Sequence, residues 1–438
     1  MDIKDKFRIL TEGAKYDVSC ASSGVTRKSS AGTTGLTNRG GVCHTFTADG
    51  RCVSLIKVLL TNNCIYNCRY CVNRSGADVE RAMFTPQELC DIIMDFYKRN
   101  YIEGLFLSSA VFRSPDYTME LMIQTVEKLR NEYGFNGYIH LKGIPSCDSK
   151  LIDKAASLVD RISLNIELPS NKGLKMLAPD KKSEGIVQPM KQLSQLFLAQ
   201  KKGEFGGRGM IPGGQSTQMI VGATPDTDGK IVRLAQRMYR QLRLKRVYYS
   251  AYVPLGDPKL LPLNPPNLIR ENRLYQADWL IRFYGFDAEE LLPVNLNLPL
   301  DVDPKCAWAL RNLDKFPVEV NTADPEMLLR VPGIGQTSVG RIIAARKHTK
   351  LTYQDLKKMR VVLKGASHFI LCNGKYYGRG FNENLLRLAL TAPEFLKAPP
   401  EQIPLFDYNL KMLSDETMNF STFLPPPALT ASALSGQL

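Results

Sequence analysis

The sequence predicts an α/β protein: a parallel sheet over most of its length, open or closed into a partial barrel, followed by a small all-α unit. Three observations carry this. Six short apolar runs alternate with helical patterns between Arg51 and Tyr252. The composition then turns Pro- and Leu-rich over residues 254–302. From Asp303 to about Pro393 the pattern is helical.

The apolar runs are residues 53–60, 104–109, 138–142, 161–166, 217–222 and 246–252. Most are rich in β-branched or aromatic residues, as suits a parallel strand buried on both faces. Between the first two, Thr85-Pro86-Gln87-Glu88 is a capping box with proline at the first helical position, so a helix is expected through about Lys98. Residues 117–133 place Leu121, Val126 and Leu129 at helical spacing, and 149–158, 186–198 and 229–242 behave alike. In sheets built this way the active site lies at the C-terminal ends of the strands.

Four segments are expected: an N-terminal extension, 1–50; the sheet with its Pro-rich bridge and a helix near 272–284, 51–302; a helical domain, 303–395; and a flexible tail, 396–438. Residues 19–41 are Ser/Thr/Gly-rich and read as a loop without the spacing of a phosphate loop. With 438 residues, 44% of them hydrophobic, the chain can bury a large core. The formal net charge of +14 favours a polyanionic partner. No stretch approaches the roughly 18 apolar residues of a membrane span. Residues 1–20 lack an apolar signal region, so the chain reads as cytoplasmic, with no membrane partner.

Of ten cysteines, Cys64, Cys68 and Cys71 stand as C-x3-C-x2-C directly after the first apolar run. Intracellular clusters of this kind are more often metal-binding or catalytic than disulfide-bonded. Three thiolates on one short loop can each take an iron of a cuboidal cluster and leave the fourth iron open to a chelating ligand. The residues alone also admit a structural zinc site or three unrelated thiols, although no second C-x2-C pair is present. Cys20, Cys43 and Cys52, with His44 beside Cys43, are either buried thiols or ligands of an auxiliary cluster. Cys90, Cys147, Cys306 and Cys372 read as packing residues.

The segment Cys64-Ile65-Tyr66-Asn67-Cys68-Arg69-Tyr70-Cys71, with an aromatic residue before its last cysteine, resembles the signature of the radical SAM superfamily. The resemblance implies a partial (βα)6 barrel and a [4Fe–4S] cluster on Cys64, Cys68 and Cys71, with S-adenosylmethionine (SAM) chelated to the open iron. It also implies reductive cleavage of SAM to a 5′-deoxyadenosyl radical that takes a hydrogen atom from substrate, and an electron donor such as flavodoxin or ferredoxin. Candidate SAM contacts follow from the family's pattern: Tyr70 in the motif, Ser108 and Ser109 ending the second strand, Asn165 and Glu167 ending the fourth, and Gly222 after the fifth. Ser108 and Ser109 depart from the Gly-Gly-Glu-like stretch the family carries there. Apart from Tyr70, each is equally well read as a strand-end polar residue or turn glycine.

Leu328-Leu329-Arg330-Val331-Pro332-Gly333-Ile334-Gly335, with the helical run that follows, resembles a helix-hairpin-helix (HhH) DNA-binding motif. Gly333 and Gly335 permit a tight hairpin, Ile334 anchors it, and backbone N–H groups at the next helix N-terminus can take a phosphate. Met359-Arg360-Val361 and Gly365 form a degenerate copy in which Leu363 and Lys364 replace the Gly-Ile pair. Residues 330–380 hold eleven Lys or Arg and one acidic residue, Asp355. Gly333, Ile334, Gly335, Thr337, Arg341 and Lys364 are therefore the candidate DNA contacts, backbone-directed and not sequence-specific. The same residues suit a basic hairpin for protein contacts.

The stretch from Asp303-Pro304-Lys305 to Arg346, with Ala14-Lys15-Tyr16-Asp17-Val18-Ser19-Cys20, looks like a family of radical SAM proteins described as DNA modification or repair proteins with a C-terminal HhH domain. DNA is the implied substrate. An RNA- or tRNA-modifying enzyme and a non-catalytic iron–sulfur DNA-binding scaffold are the alternatives. In the tail, Gln402-Ile403-Pro404-Leu405-Phe406 resembles the pentapeptide by which bacterial repair proteins dock on the sliding clamp, with Pro404 in place of a small polar or acidic residue. A tail segment packed on its own domain is the other reading.

Overall fold

A computed structural model of the chain describes residues 1–15, 42–46, 52–203, 210–254, 260–378 and 382–391. They fall into two compact units: residues 1–226 with 234–271, and residues 227–233 with those from 272 onward. The division lies within the helix Leu268–Phe283, ahead of the compositional break at Val302.

The first unit is a seven-stranded sheet in sequential order: β1 Val42–Phe46, β2 Cys52–Leu59, β3 Gly104–Ser108, β4 Tyr138–Lys142, β5 Arg161–Ser163, β6 Gln215–Val221 and β7 Arg246–Ala251. β2 through β7 are parallel, and β1 is antiparallel to β2. Six parallel strands joined by helices form the partial barrel that the alternation predicts. The capping box at Thr85 opens the helix Pro86–Lys98, with both reciprocal hydrogen bonds present.

Three features differ from the sequence reading. The extension contributes the helix Ile3–Ala14 and the edge strand β1, so it belongs to the fold. β5 ends at Ser163, because Leu164 to Glu167 follow β6 irregularly: Ile166 N–H bonds the Thr217 hydroxyl, not a carbonyl. The strands also do not bury two apolar faces. Register places Lys57, Phe106, His140 and Arg161 on one rung and Ser163, Ser216 and Arg246 on another of the same face. The opposite face carries Ile56, Val58, Leu105, Leu107, Ile139, Leu141 and Ile162, all buried. One wall packs on helices and the other is polar, as the lumen of a half-barrel requires.

The second unit holds the helices Pro304–Arg311, Pro325–Arg330, Gln336–Arg346, Tyr353–Lys358, Leu363–Ala366 and Glu383–Thr391. It is not all-α. β8 Val318–Glu319, β9 Ile370–Cys372 and β10 Lys375–Tyr376 form a small sheet, with β9 and β10 antiparallel. Asn373 and Gly374 join them with φ of 53° and 72°, the conformation a two-residue hairpin turn needs. That dipeptide was the available signal; strands of two or three residues carry no periodicity. The core is a column of rings, Phe286, Trp308, Phe316 and Phe369, each meeting the next edge-on at 5.2–6.2 Å.

Gly104 opens β3 against its neighbours: a Cβ there would lie 2.3 Å from the Tyr138 carbonyl oxygen and 2.7 Å from Leu55 Cδ2. Backbone cannot yield as a side-chain tip does, so Gly104→Ala is expected to destabilise the unit by about 1–3 kcal/mol. A urea titration checks this, with a lower midpoint at unchanged slope.

Candidate metal centre

The three cysteines follow β2 on a loop with no regular structure, so other groups must hold its backbone. Arg81 does most of this: its guanidinium donates to the carbonyls of Asn62, Asn73, Arg74 and Ala77 at 2.6–2.9 Å. Asn62, itself buried, pairs its side-chain amide with the Glu80 carbonyl and the Ala82 N–H. Leu60 N–H bonds the Ser108 carbonyl and Ile65 N–H the Val111 carbonyl, tying the loop to the chain after β3.

From the other side comes the segment after the helix Asn171–Leu177. Arg69 N–H bonds the Leu177 carbonyl at 2.7 Å, and Asn67 N–H bonds the Asp180 carboxylate at 2.8 Å. Next along the chain, Lys181 forms an ion pair of 2.8 Å with Glu167, both side chains nearly buried. Burial opposes the Lys181 charge, but Glu167, with Tyr70 and Cys68 behind it, holds the ammonium well above the ordinary lysine range. Glu167 adopts a left-handed φ of 64°, which a non-glycine residue takes at an expense of about 1–3 kcal/mol.

Cys68 is buried, and Cys64 and Cys71 are half-buried. Burial pushes the Cys71 thiol up to about 12, against a hydrogen bond from the Asn73 backbone. Burial also raises the Cys68 thiol, and the Lys181 ammonium counters it. A metal that takes these sulfurs as thiolates must therefore displace protons. Among the described residues no three His, Cys, Asp or Glu side chains converge on a single metal ion. A cuboidal cluster asks no such convergence, since each thiolate binds a different iron.

The remaining candidates are distributed as follows. Tyr70 packs against Leu168, Leu177, Ala223, Tyr252 and Leu261, and its hydroxyl, kept protonated by burial, faces the Cys68 sulfur. Ser108 is fully buried at the end of β3 with its hydroxyl unpartnered, as is the Asn67 side-chain oxygen. Ser109 turns its hydroxyl to the Ala110 carbonyl. Asn165 meets Gln218 at 3.4 Å. Gly222 has φ 86°, and a Cβ there would lie 2.7 Å from Pro266, so glycine is required whatever it binds. Unpartnered buried polar atoms beside three thiols fit a polar, cluster-bound ligand. Sequence reading missed Arg81, Asp180 and Lys181: they lie 10 or more positions from the motif, and nothing local marks them.

Cys90, Cys147, Cys306 and Cys372 are buried packing residues, as expected. Cys43 and Cys52 stand three rungs apart on β1 and β2, and Cys20 lies outside the described residues.

Residues 49–163 match the 4Fe-4S single cluster domain family. No curated protein matches the chain. Among solved structures, a maturase of the [FeFe]-hydrogenase, HydG, is similar at TM-score 0.39 and 12% identity, covering 51% of this chain and 48% of that one. HydG from Carboxydothermus hydrogenoformans gives 0.38 and 13%, covering 51% and 50%. Methylornithine synthase, PylB, gives 0.38 and 13%, covering 69% and 84%. This chain spans about half the length of the two maturases.

The cysteine motif after the first parallel strand and the match of residues 49–163 to a 4Fe-4S single cluster domain mark this loop as an iron–sulfur cluster site. The cofactor that this match supports is a [4Fe–4S] cluster. Cys64→Ala, Cys68→Ala and Cys71→Ala are each expected to lose iron and visible absorbance after anaerobic reconstitution, whereas Cys90→Ala keeps both. Lys181→Met strands a buried carboxylate and is expected to lose about 3–5 kcal/mol of stability. Adding Glu167→Gln should restore much of that loss, and paired denaturant titrations of the single and double variants measure it.

Proposed function

We propose that this chain is a radical SAM enzyme, with SAM bound at the cluster, that it acts on DNA for modification or repair, and that its second unit carries an HhH phosphate-binding hairpin. The carrying observation is the turn between the helices Pro325–Arg330 and Gln336–Arg346. Gly333 has φ 83°, and a Cβ there would lie 2.4 Å from the Val362 carbonyl oxygen. Ile334 is buried as the anchor of the turn, and Gly335 caps the second helix without a side-chain cap. The N–H groups of Gly335, Gln336 and Thr337 meet no acceptor among the described residues. Such a helix start is suited to a phosphate oxygen.

The neighbouring residues divide in role. Thr337 and Lys364 are exposed beside the turn. Arg341 donates to the Met359 carbonyl at 3.0 Å, joining the helix to its degenerate copy. Arg330 is neutralised by a two-pronged pair with Glu290. The excess of eleven basic residues over one acidic residue in 330–380 supports a polyanion there.

In the first unit, Cys64, Cys68 and Cys71 would hold the cluster. Ser108, Asn165, Glu167, Gly222 and the ring of Tyr70 would line the SAM site, and Lys181 would offer its ammonium to a carboxylate. When bound, these groups supply a one-electron cleavage that yields a carbon radical. The chain's own part is to exclude water and to orient the ligand with the apolar wall around Tyr70. A base buried in a duplex would have to leave the stack, so single strands or distorted sites are the expected substrates. A flavodoxin or ferredoxin is the proposed electron donor. Docking of Gln402-Ile403-Pro404-Leu405-Phe406 on a sliding clamp is a further part of the proposal; that segment lies outside the described residues. No helix among the described residues is long and apolar enough to cross a membrane.

Thr337→Glu tests the hairpin without harming it. A carboxylate in the first turn favours the helix but repels phosphate, so thermal stability should hold while DNA affinity falls about tenfold, near 1.4 kcal/mol. Fluorescence anisotropy with labelled DNA over a salt series measures this; equal affinity would remove the hairpin from the interface. Anaerobic incubation of reduced enzyme, SAM and damaged or undamaged DNA, followed by mass spectrometry of the nucleosides, tests the reaction. An unaltered nucleoside profile alongside 5′-deoxyadenosine release would exclude DNA as substrate.

A further inference from the structure

Lys305 stands where a lysine has little reason to be. It occupies the first turn of the helix Pro304–Arg311, an end that disfavours positive charge, and it is only 8% exposed. Its ammonium donates to the carbonyl oxygen of Ile334 at 2.5 Å and lies 4.9 Å from the centre of the Tyr284 ring. A leucine would fill the same space without the expense of burying a charge.

The partner explains the placement. Ile334 is the middle residue of the Gly333-Ile334-Gly335 turn, and its carbonyl belongs to the peptide bond whose N–H is that of Gly335. That bond is trans, so the N–H points opposite to the carbonyl, away from Lys305. On that far side lies the Gly335 N–H, the first of the N–H groups at this helix start that meet no acceptor among the described residues.

We propose that Lys305 is a positioning residue for the turn: its ammonium fixes the Ile334 carbonyl from behind and thereby aims and polarises the Gly335 N–H toward a bound phosphate. This rests on the DNA reading of the hairpin. The arrangement puts one full positive charge one peptide unit behind the anion, in a dry environment where screening is weak.

Protonation then becomes part of binding. Burial brings the Lys305 ammonium down to about 7, against the pull of Asp303 and Cys306. The groups facing it are Asp303 and Cys306 on its own helix, Tyr284 after the helix Leu268–Phe283, and the Ile334 carbonyl. The Asp303 carboxylate is engaged by the backbone N–H groups of Lys305 and Cys306. A bound anion favours the charged lysine. Affinity is therefore full below about 7 and is lost as pH rises through and above it.

The test measures full-length protein against labelled DNA from about pH 6 to about pH 8.5 at constant ionic strength, alongside Lys305→Met and Lys305→Arg. The wild type should weaken several-fold across the range. Lys305→Met should be weak and flat, and Lys305→Arg, whose guanidinium keeps its proton, should stay tight throughout. The Gly335 amide resonance of glycine-labelled protein, followed without DNA, should titrate in the wild type and not in either variant. A wild-type pH profile in both variants, or a Gly335 signal indifferent to Lys305, overturns the proposal. A wild type that binds no DNA while Gly335 still follows Lys305 overturns the DNA reading and leaves the Lys305 geometry standing.

Discussion

The Arg81 guanidinium, bonded to four backbone carbonyls, is the contact on which the shape of the cysteine loop depends. A loop that presents three sulfurs to a cluster cannot be a helix or strand, because its carbonyls and N–H groups must take irregular directions. Each such group still needs a partner when buried. One planar cation with five donors satisfies four of them at once and sets the loop's curvature.

The second wall of the site comes from far along the chain. The residues after the helix Asn171–Leu177 bond the cysteine loop at Arg69 and Asn67 and deliver Lys181 to Glu167. Glu167 stands in a left-handed conformation at the broken end of β5, with its carboxylate on the Lys181 ammonium. The two charges offset each other, yet the ammonium is the stronger influence on Cys68.

The two units use buried cations differently. Lys181 answers a carboxylate, so its proton is held tightly. Lys305 donates to a carbonyl beside a ring face, while the Asp303 carboxylate is taken up by backbone N–H groups, so its proton is loosely held. The same side chain, buried to a similar degree, becomes a fixed charge in one place and a titrating one in the other. The nearest acceptor decides which.

Much of this protein was legible in the sequence. Strand positions followed from short apolar runs, because parallel strands buried by crossover helices need them. The helix at Pro86 followed from its capping box, and the candidate cluster ligands from a C-x3-C-x2-C spacing that sets three thiols on one short loop. The Gly333 turn was readable because glycine alone suits that φ beside the Val362 carbonyl. What tertiary structure decided was pairing at a distance: Arg81 on the loop carbonyls, Lys181 on Glu167, Lys305 on Ile334, and the polar face of the sheet. Local patterns report backbone conformation and burial. They carry no record of which buried charge meets which buried oxygen, since that meeting is made only when separate elements pack.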